Sequence, residues 1–332
     1  MFGYVLRRLF IMIPTLLVIS FLVFAIIQAP PGDYLSSYMS ELQSQGEAVN
    51  PQKIEYLRKQ YGLDRPFYQQ YFIWVTNLLQ GDLGYSFEFS LPVSQVVGDR
   101  LALTAVVSIA TVLFVWLVSF PIGIYSATHQ YSLSDYGLSI IGFIGMATPS
   151  FLLALVMLYF ANVWFGTAIG GLMDQSYIDQ PWTWGKIESV LGHLWLPVVV
   201  IGASGTASQI RRLRANLLDE LQKQYVVTAR AKGLPRGRLL IKYPLRLSLN
   251  PFIADIGTLL PEMVSGAVIV SVVLSLPTTG PMLLDALRSQ DMFLAGSFLM
   301  FLAMLTVIGV FVSDVLLGLL DPRIRLGAGA TK

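Results

Sequence analysis

The chain has no cysteine, and that absence removes disulfides, thiolate catalysis and Cys-ligated zinc or iron–sulfur sites together. Histidine is nearly as scarce. His129 and His193 are the only two and no His-Glu-x-x-His helix joins them, so a His-based metal site lacks its ligand set. Charge is thin, at 13% Asp, Glu, Lys and Arg, and the formal net charge of +2 gives no global attraction to nucleic acid. No Gly-x-x-x-x-Gly-Lys-[Ser/Thr] occurs, so no loop of this chain is built to cradle ATP phosphates, and any ATP-driven work needs a partner. What remains is apolar: 55% of the 332 residues are hydrophobic, and the mean hydropathy of +0.64 is too high for an ordinary soluble enzyme.

A hydrocarbon core of about 30 Å needs roughly 20 apolar helical residues. Six stretches approach or exceed this: Leu9–Ala29, Leu101–Ala127, Gly137–Phe165, His193–Ile210, Phe252–Leu276 and Phe293–Leu320. The fourth is the least apolar, because Gly202-Ala203-Ser204-Gly205-Thr206-Ala207-Ser208 is small and polar and suits packing against neighbouring helices rather than lipid. The expected fold is therefore an all-α membrane protein with six transmembrane helices.

The Lys and Arg count orients the bundle. Arg7 and Arg8 precede the first span, ten basic residues lie between spans four and five, and Arg323, Arg325 and Lys332 follow span six, so both termini are expected in the cytoplasm. The segment from Pro30 to Arg100 carries five basic residues against eight acidic ones, as an outer segment should. The loop from His129 to Tyr136 has no Lys or Arg and does not help. The first apolar run is long for a signal peptide, and Pro30-Pro31 follows Ala29 directly, so an uncleaved anchor is expected. Within the outer segment, Asn50-Pro51 opens one helix that Gly62 closes; Pro66 opens another, with Phe67, Tyr71, Trp74 and Leu78 at helical spacing and Gly81 at its end.

The segment between spans four and five is more than a solvated basic loop. Arg211 to Leu221 continues span four as a basic helix, Tyr225 to Lys232 makes another short one, Gly233 takes the positive φ that ends it, and Pro235 sits where a third begins. Charge alone would leave an ordinary positive-inside loop as the explanation. Such a loop has no need of the Ala229-Arg230-Ala231-Lys232-Gly233-Leu234 turn.

These residues resemble the dipeptide/oligopeptide permease branch of ATP-binding-cassette importer membrane subunits, the binding-protein-dependent transport inner-membrane components. The branch's loop pattern is met in order by Arg211 and Arg214, Leu218, Tyr225-Val226, Thr228-Ala229-Arg230-Ala231-Lys232-Gly233-Leu234 and Leu245-Arg246. Leu6-Arg7-Arg8-Leu9, Ala29-Pro30-Pro31-Gly32-Asp33, Tyr61-Gly62-Leu63-Asp64-Arg65-Pro66, Gly81-Asp82-Leu83-Gly84-Tyr85-Ser86 and Asp321-Pro322-Arg323-Ile324-Arg325 look like further family signatures, so the likeness runs over nearly the whole chain. Two departures stand out. Val227 occupies the place where the general importer loop motif opens with Glu, and the usual Gly of the outer loop before span six has drifted to Leu276-Pro277-Thr278-Thr279-Gly280.

The resemblance implies a permease subunit that moves a solute, peptide first and oligosaccharide second, by alternating access in a bacterial or archaeal cytoplasmic membrane. It implies a second homologous permease, two cytoplasmic ATPase subunits that hold ATP-Mg, an extracytoplasmic solute-binding protein and no cofactor in this chain. Tyr225, Thr228, Ala229, Arg230, Ala231, Lys232, Gly233 and Leu234 are then the expected ATPase-coupling residues. The implied organisation is an anchor helix over 1–29, an extracytoplasmic helical subdomain over 30–100, a permease core over 101–320 with the coupling loop at 211–250, and a cytoplasmic tail over 321–332.

Other patterns compete less well. Glu262 lies about ten residues into span five, roughly 15 Å deep at 1.5 Å per residue, so its ionised form needs a partner or water. It reads equally as a translocation-pathway or proton-relay residue and as a structural hydrogen-bonding group where Pro261 disrupts the helix. A self-sufficient proton-coupled transporter built on Glu262 is the rival function. Asp255 and Asp314 sit nearer span ends, where snorkelling or an Arg partner is the common explanation. Gly202-Ala203-Ser204-Gly205 copies an intramembrane serine-protease motif, but both histidines precede Ser204, whereas that chemistry needs a later base; close helix packing explains it. Pro121 and Pro149 are expected to interrupt spans two and three, with Gly142, Gly145 and Ser150 around the second.

Overall fold

The computed structural model describes residues 2–29, 55, 59, 64–165, 170–177, 180–255 and 268–320. In chain order its longer elements are α1 (Phe2–Gln28), α2 (Phe67–Leu79), β1 (Tyr85–Ser86), β2 (Leu91–Pro92), α3 (Val93–Thr128), α4 (Leu133–Ala147), α5 (Ser150–Phe165) and α6 (Trp184–Leu221). Then come α7 (Gln224–Ala231), α8 (Arg236–Lys242), α9 (Pro244–Ser248), α10 (Asn250–Ala254), α11 (Val268–Val273), α12 (Thr279–Arg288) and α13 (Met292–Leu320). Among the described residues four helices are long and apolar enough to cross a membrane, or five if one sharply bent pair is a single span. The protein is thus an all-α membrane protein apart from a minimal antiparallel hairpin in which Tyr85 pairs with Pro92 and Ser86 with Leu91.

The long helices follow the hydropathy, with two differences. The third expected span is two helices, α4 and α5, bent by 102° where they meet. Pro149 causes this: its ring disfavours the helical region for the preceding residue, and Thr148 is extended at φ −82°, ψ 120°. Pro121, also expected to interrupt a helix, sits inside continuous α3. There the preceding residue, Phe120, is held by stacking on Trp116 at 5.8 Å and by an edge contact with Phe252 at 5.4 Å. The fifth expected span is helical at its ends as α10 and α11, while Glu262 lies outside the described residues.

The chain forms two compact units. One comprises the described residues of Met1–Leu103 and Thr278–Phe311. Its core is aromatic: Phe24 of α1 meets Phe67, Tyr71 and Trp74 of α2 at ring-centroid distances of 5.1, 5.5 and 5.6 Å. Ser20 and the Tyr71 hydroxyl add a hydrogen bond of 2.8 Å. Gly81 closes α2 at φ +81°, so that its N–H reaches the Leu78 carbonyl and the Asp82 N–H reaches that of Asn77, a Schellman stop. Gly84, at φ +83°, lies so close to Phe293 that an added Cβ would be 2.7 Å from its ring.

The other unit comprises the described residues of Thr104–Pro277 and Val312–Lys332. Here the small stretch of α6 packs closely, as its composition requires. A Cβ on Gly202 would fall 2.9 Å from the Phe114 ring, one on Gly145 3.7 Å from the Ala203 carbonyl oxygen, and one on Gly123 3.1 Å from Leu213. Ser313 of α13 donates towards the Ile253 and Ala254 carbonyls at 3.0 and 2.6 Å, satisfying the end of α10.

Asp291 is the polar joint of the first unit. Fully buried, it accepts from Ser86 Oγ at 2.7 Å and from the Glu88 N–H at 3.2 Å, and it caps α13 through the Leu294 N–H at 3.1 Å. Asp291→Ala leaves all three donors without this acceptor and is expected to cost on the order of 3 kcal/mol. Thermal unfolding of the detergent-purified protein checks this; a melting temperature equal to wild type would show that the hairpin and α13 are held by other contacts.

Candidate functional site

The basic segment folds as the turn chemistry demands. Gly233 takes φ +78° after α7, its N–H bonding to the Arg230 carbonyl at 3.0 Å and the Leu234 N–H to the Ala229 carbonyl at 3.3 Å. That is a second Schellman stop, with its customary apolar contact made by Leu234. An added Cβ on Gly233 would meet no atom within 4 Å, so glycine is required there by backbone angle and not by space. Pro235 then stands at the N-cap position of α8.

α7 and α8 share a small core of their own. Val226, Ala229 and Leu239 are buried together, with Tyr225, Leu234 and Tyr243 packed around them. Val226 is 0% exposed while its neighbour Val227 is 52% exposed, so α7 has one inward and one outward face. The outward face presents Val227, Arg230 and Ala231 at i, i+3 and i+4, with Thr228, Lys232 and Gly233 also exposed. The expected coupling residues therefore divide by exposure: Tyr225, Ala229 and Leu234 pack in the small core, whereas Thr228, Arg230, Ala231, Lys232 and Gly233 are exposed. Sequence reading named Val226 in the loop pattern without its burial, missed the buried Leu239 and the half-buried Tyr243, and treated Val227 as a departure rather than as the apolar centre of the exposed face.

This small unit is fastened to α6. Only Gln222 and Lys223 separate the two helices, and the Tyr225 hydroxyl donates across the joint to the Glu220 carboxylate. Burial, and then that hydrogen bond, push the Tyr225 phenol well above its ordinary pKa, so it remains a donor throughout the physiological range. α9, which follows α8, packs against α6 with Pro244 and Ser248 buried. Arg212 of α6 pairs with Asp255 after α10 and lies 5.5 Å from the Phe252 ring centroid. Asp255 thus has the Arg partner that its place near a span end suggested.

The strongest polar joint is Asp135, which sequence reading passed over. It is 2% exposed and accepts from Arg214 Nε at 3.0 Å, Arg214 Nη2 at 2.8 Å, Ser126 Oγ at 2.7 Å and the Tyr131 N–H at 3.0 Å. Its own N–H is capped by Ser132 Oγ at 3.1 Å. The available signal was Ser132-x-x-Asp135 ahead of an apolar run, a helix-start pattern. Because Arg214 belongs to α6 just ahead of the basic segment, this joint puts the His129–Tyr136 loop, which has no Lys or Arg, at the same end of the unit as α7.

The histidines are engaged locally. His129 stacks on Tyr125 at 4.4 Å, and His193 Nδ1 lies 2.7 Å from the Ser189 carbonyl with Nε2 3.8 Å from Asp174.

A family model described as the binding-protein-dependent transport system inner membrane component matches residues 119–326, and that of the N-terminal part of such membrane components matches 1–110. The chain belongs to this family. The junction between the two matches falls within α3, and α7 and α8 lie inside the larger one. An oligopeptide transport system permease of Bacillus subtilis (strain 168) is 34% identical over 329 residues, 98% of this chain and 100% of that protein. A di/tripeptide transport system permease of Pseudomonas aeruginosa (strain UCBPP-PA14) is 32% identical over 338 residues, covering 98% and 99%. A dipeptide transport system permease of Escherichia coli (strain K12) is 30% identical over 343 residues, covering 98% and 99%. The chain is an inner-membrane component of a transport system.

Removing one partner of the Asp135–Arg214 joint leaves an uncompensated buried charge or empties its site, with a cost of about 3–5 kcal/mol. Arg214→Ala is expected to lower the melting temperature in detergent strongly, Asp135→Ala similarly, and the double variant by clearly less than the sum. Additive losses in that double-mutant cycle would refute direct coupling.

Proposed function

We propose that this chain is a permease subunit of an ATP-driven importer whose cargo is a peptide. The observation that carries the reading is the α7–Gly233–α8 unit: a rigid, separately cored device at the end of a long apolar helix, with a cationic and apolar face turned outward. The relatives' names, all referring to peptides of two or more residues, support the cargo. The basic excess of the 211–250 segment supports a cytoplasmic position for it and for both termini.

In this reading α7 docks Val227, Arg230, Ala231 and Lys232 into a groove on a cytoplasmic ATPase subunit, one of two that bind ATP-Mg. Closure of the ATPase pair displaces α7. The short joint at Gln222-Lys223 and the packing of α9 on α6 pass that displacement into the membrane helices, because close-packed elements shift as bodies instead of deforming. A second homologous permease completes the pathway, a soluble binding protein delivers the peptide outside, and the segment 30–100 is assigned to the outer side; its expected helix from Asn50 to Gly62 lies almost wholly outside the described residues. Transport then proceeds by alternating access as the partners change nucleotide state. The proton-coupled alternative built on Glu262 is not favoured, since membership of a binding-protein-dependent transport family accounts for the basic segment and a self-sufficient carrier does not.

The test is peptide uptake by proteoliposomes holding this chain, its neighbouring permease, the ATPases and the binding protein. Arg230→Glu with Lys232→Glu is expected to reduce ATP-dependent uptake at least about tenfold, a loss of roughly 1.4 kcal/mol in coupling, while the chain still inserts and purifies. Undiminished ATP-driven uptake would remove these residues from the coupling role.

A further inference from the structure

Between Leu221 and Ala254 the sequence holds seven basic residues and no acidic one. Lys223, Arg230 and Lys232 lie before the Gly233 turn, in or beside α7. The remaining four, Arg236, Arg238, Lys242 and Arg246, follow the turn and are all exposed. The acids that flank the stretch are occupied elsewhere, Glu220 by Tyr225 and Asp255 by Arg212. The coupling role does not use the four later cations.

Their surroundings are apolar as well as cationic. Leu239 is the buried residue of α8; Ile241, across the helix from it, is 68% exposed, and the exposed Arg238 and Lys242 flank Ile241 along one strip. Leu247 of α9, beside Arg246, is exposed too. Lys242 extends along Tyr243, its Nζ 5.3 Å from the ring centroid. A short helix that turns basic and apolar side chains outward together has the make-up of an element lying in the membrane interface. The chain path agrees, because α8 and α9 lead directly into α10 and the fifth apolar stretch, so these cations are juxtamembrane.

We infer that the exposed surface of α8 and α9, with Arg238, Ile241 and Lys242 along one strip of α8 and Arg236, Arg246 and Leu247 also exposed on these two helices, binds the anionic glycerophospholipids of the inner leaflet. The inference rests on the cytoplasmic position proposed above. Cationic groups neutralise headgroup phosphates, and Ile241 and Leu247 enter the acyl boundary. The lipid surface then serves as a fixed bearing for α8, so that movement of α7 is directed into α6 and not dissipated by tilting of the whole segment.

Gly237 provides a reporter position: it is exposed on this face, and an added Cβ would meet nothing within 4 Å. The full chain carrying Gly237→Cys, its sole cysteine, is labelled with a polarity-sensitive fluorophore and reconstituted with its partner subunits. The vesicles are phosphatidylcholine alone or phosphatidylcholine mixed with phosphatidylglycerol. Nitroxide-bearing lipid is expected to quench the label about fivefold more strongly in the anionic vesicles, the factor that one basic residue contributes at such a surface. Arg236→Gln, Arg238→Gln and Lys242→Gln together should abolish the difference, while Arg236→Lys, Arg238→Lys and Lys242→Arg together should keep it. Equal quenching in both vesicles overturns the inference, as does a label shielded only when the ATPase is added. ATP-driven uptake with no lipid response sinks this inference alone, whereas anionic quenching without ATP-dependent uptake sinks the importer reading and leaves the lipid face standing.

Discussion

Burying a carboxylate is tolerable only where a cation and enough hydrogen-bond donors replace its lost water. Asp135 meets that condition with a two-pronged Arg214, a serine hydroxyl and a backbone N–H, and in doing so it gathers three separate parts of the chain. The end of α3, the start of α4 and the basic end of α6 cannot separate without stranding the charge. Since α7 follows α6 after only two residues, the direction in which α7 presents its outward face descends from this joint. Its energy lies less in the attraction gained than in the penalty for any arrangement that breaks it.

Downstream of that anchor the structure alternates stiff pieces with short joints. α7 and α8 are too short to be stable helices alone, and they persist because Val226, Ala229 and Leu239 make a miniature core that the Gly233 turn closes. In the coupling role proposed for it, such a unit would pass on a push that a flexible basic loop would absorb. The same logic appears in the first unit, where Gly81 stops α2 and Asp291 fixes the hairpin to the start of α13. In both, glycine sets the backbone direction, while apolar packing or a buried carboxylate makes it permanent.

Much of the site was legible because its rules are local. The positive φ of Gly233, the helix over 224–231, the closure of α2 at Gly81 and the tight packing of Gly202 all follow from residue type and near neighbours. Asp135 was not legible, since its partner is 79 positions away and a lone acid in a loop without Lys or Arg gives no warning of it. The division of the loop residues into packed and exposed sets was equally hidden: Val226 and Val227 are chemically identical, and only the packing of α8 beneath α7 tells them apart.

The two prolines draw the boundary clearly. By itself the sequence determined that the chain lives in a bilayer, that its apolar runs become helices and that a turn-bounded basic unit separates two of them, because hydropathy, glycine φ and helix stops act over a few residues. Only the tertiary structure decided that Pro121, unlike Pro149, leaves its helix continuous, and that Arg214 pairs with Asp135 while Arg230 faces outward. Those outcomes depend on which distant side chains arrive beside each residue, and a charge or a strained backbone takes its final state from the neighbours that satisfy it.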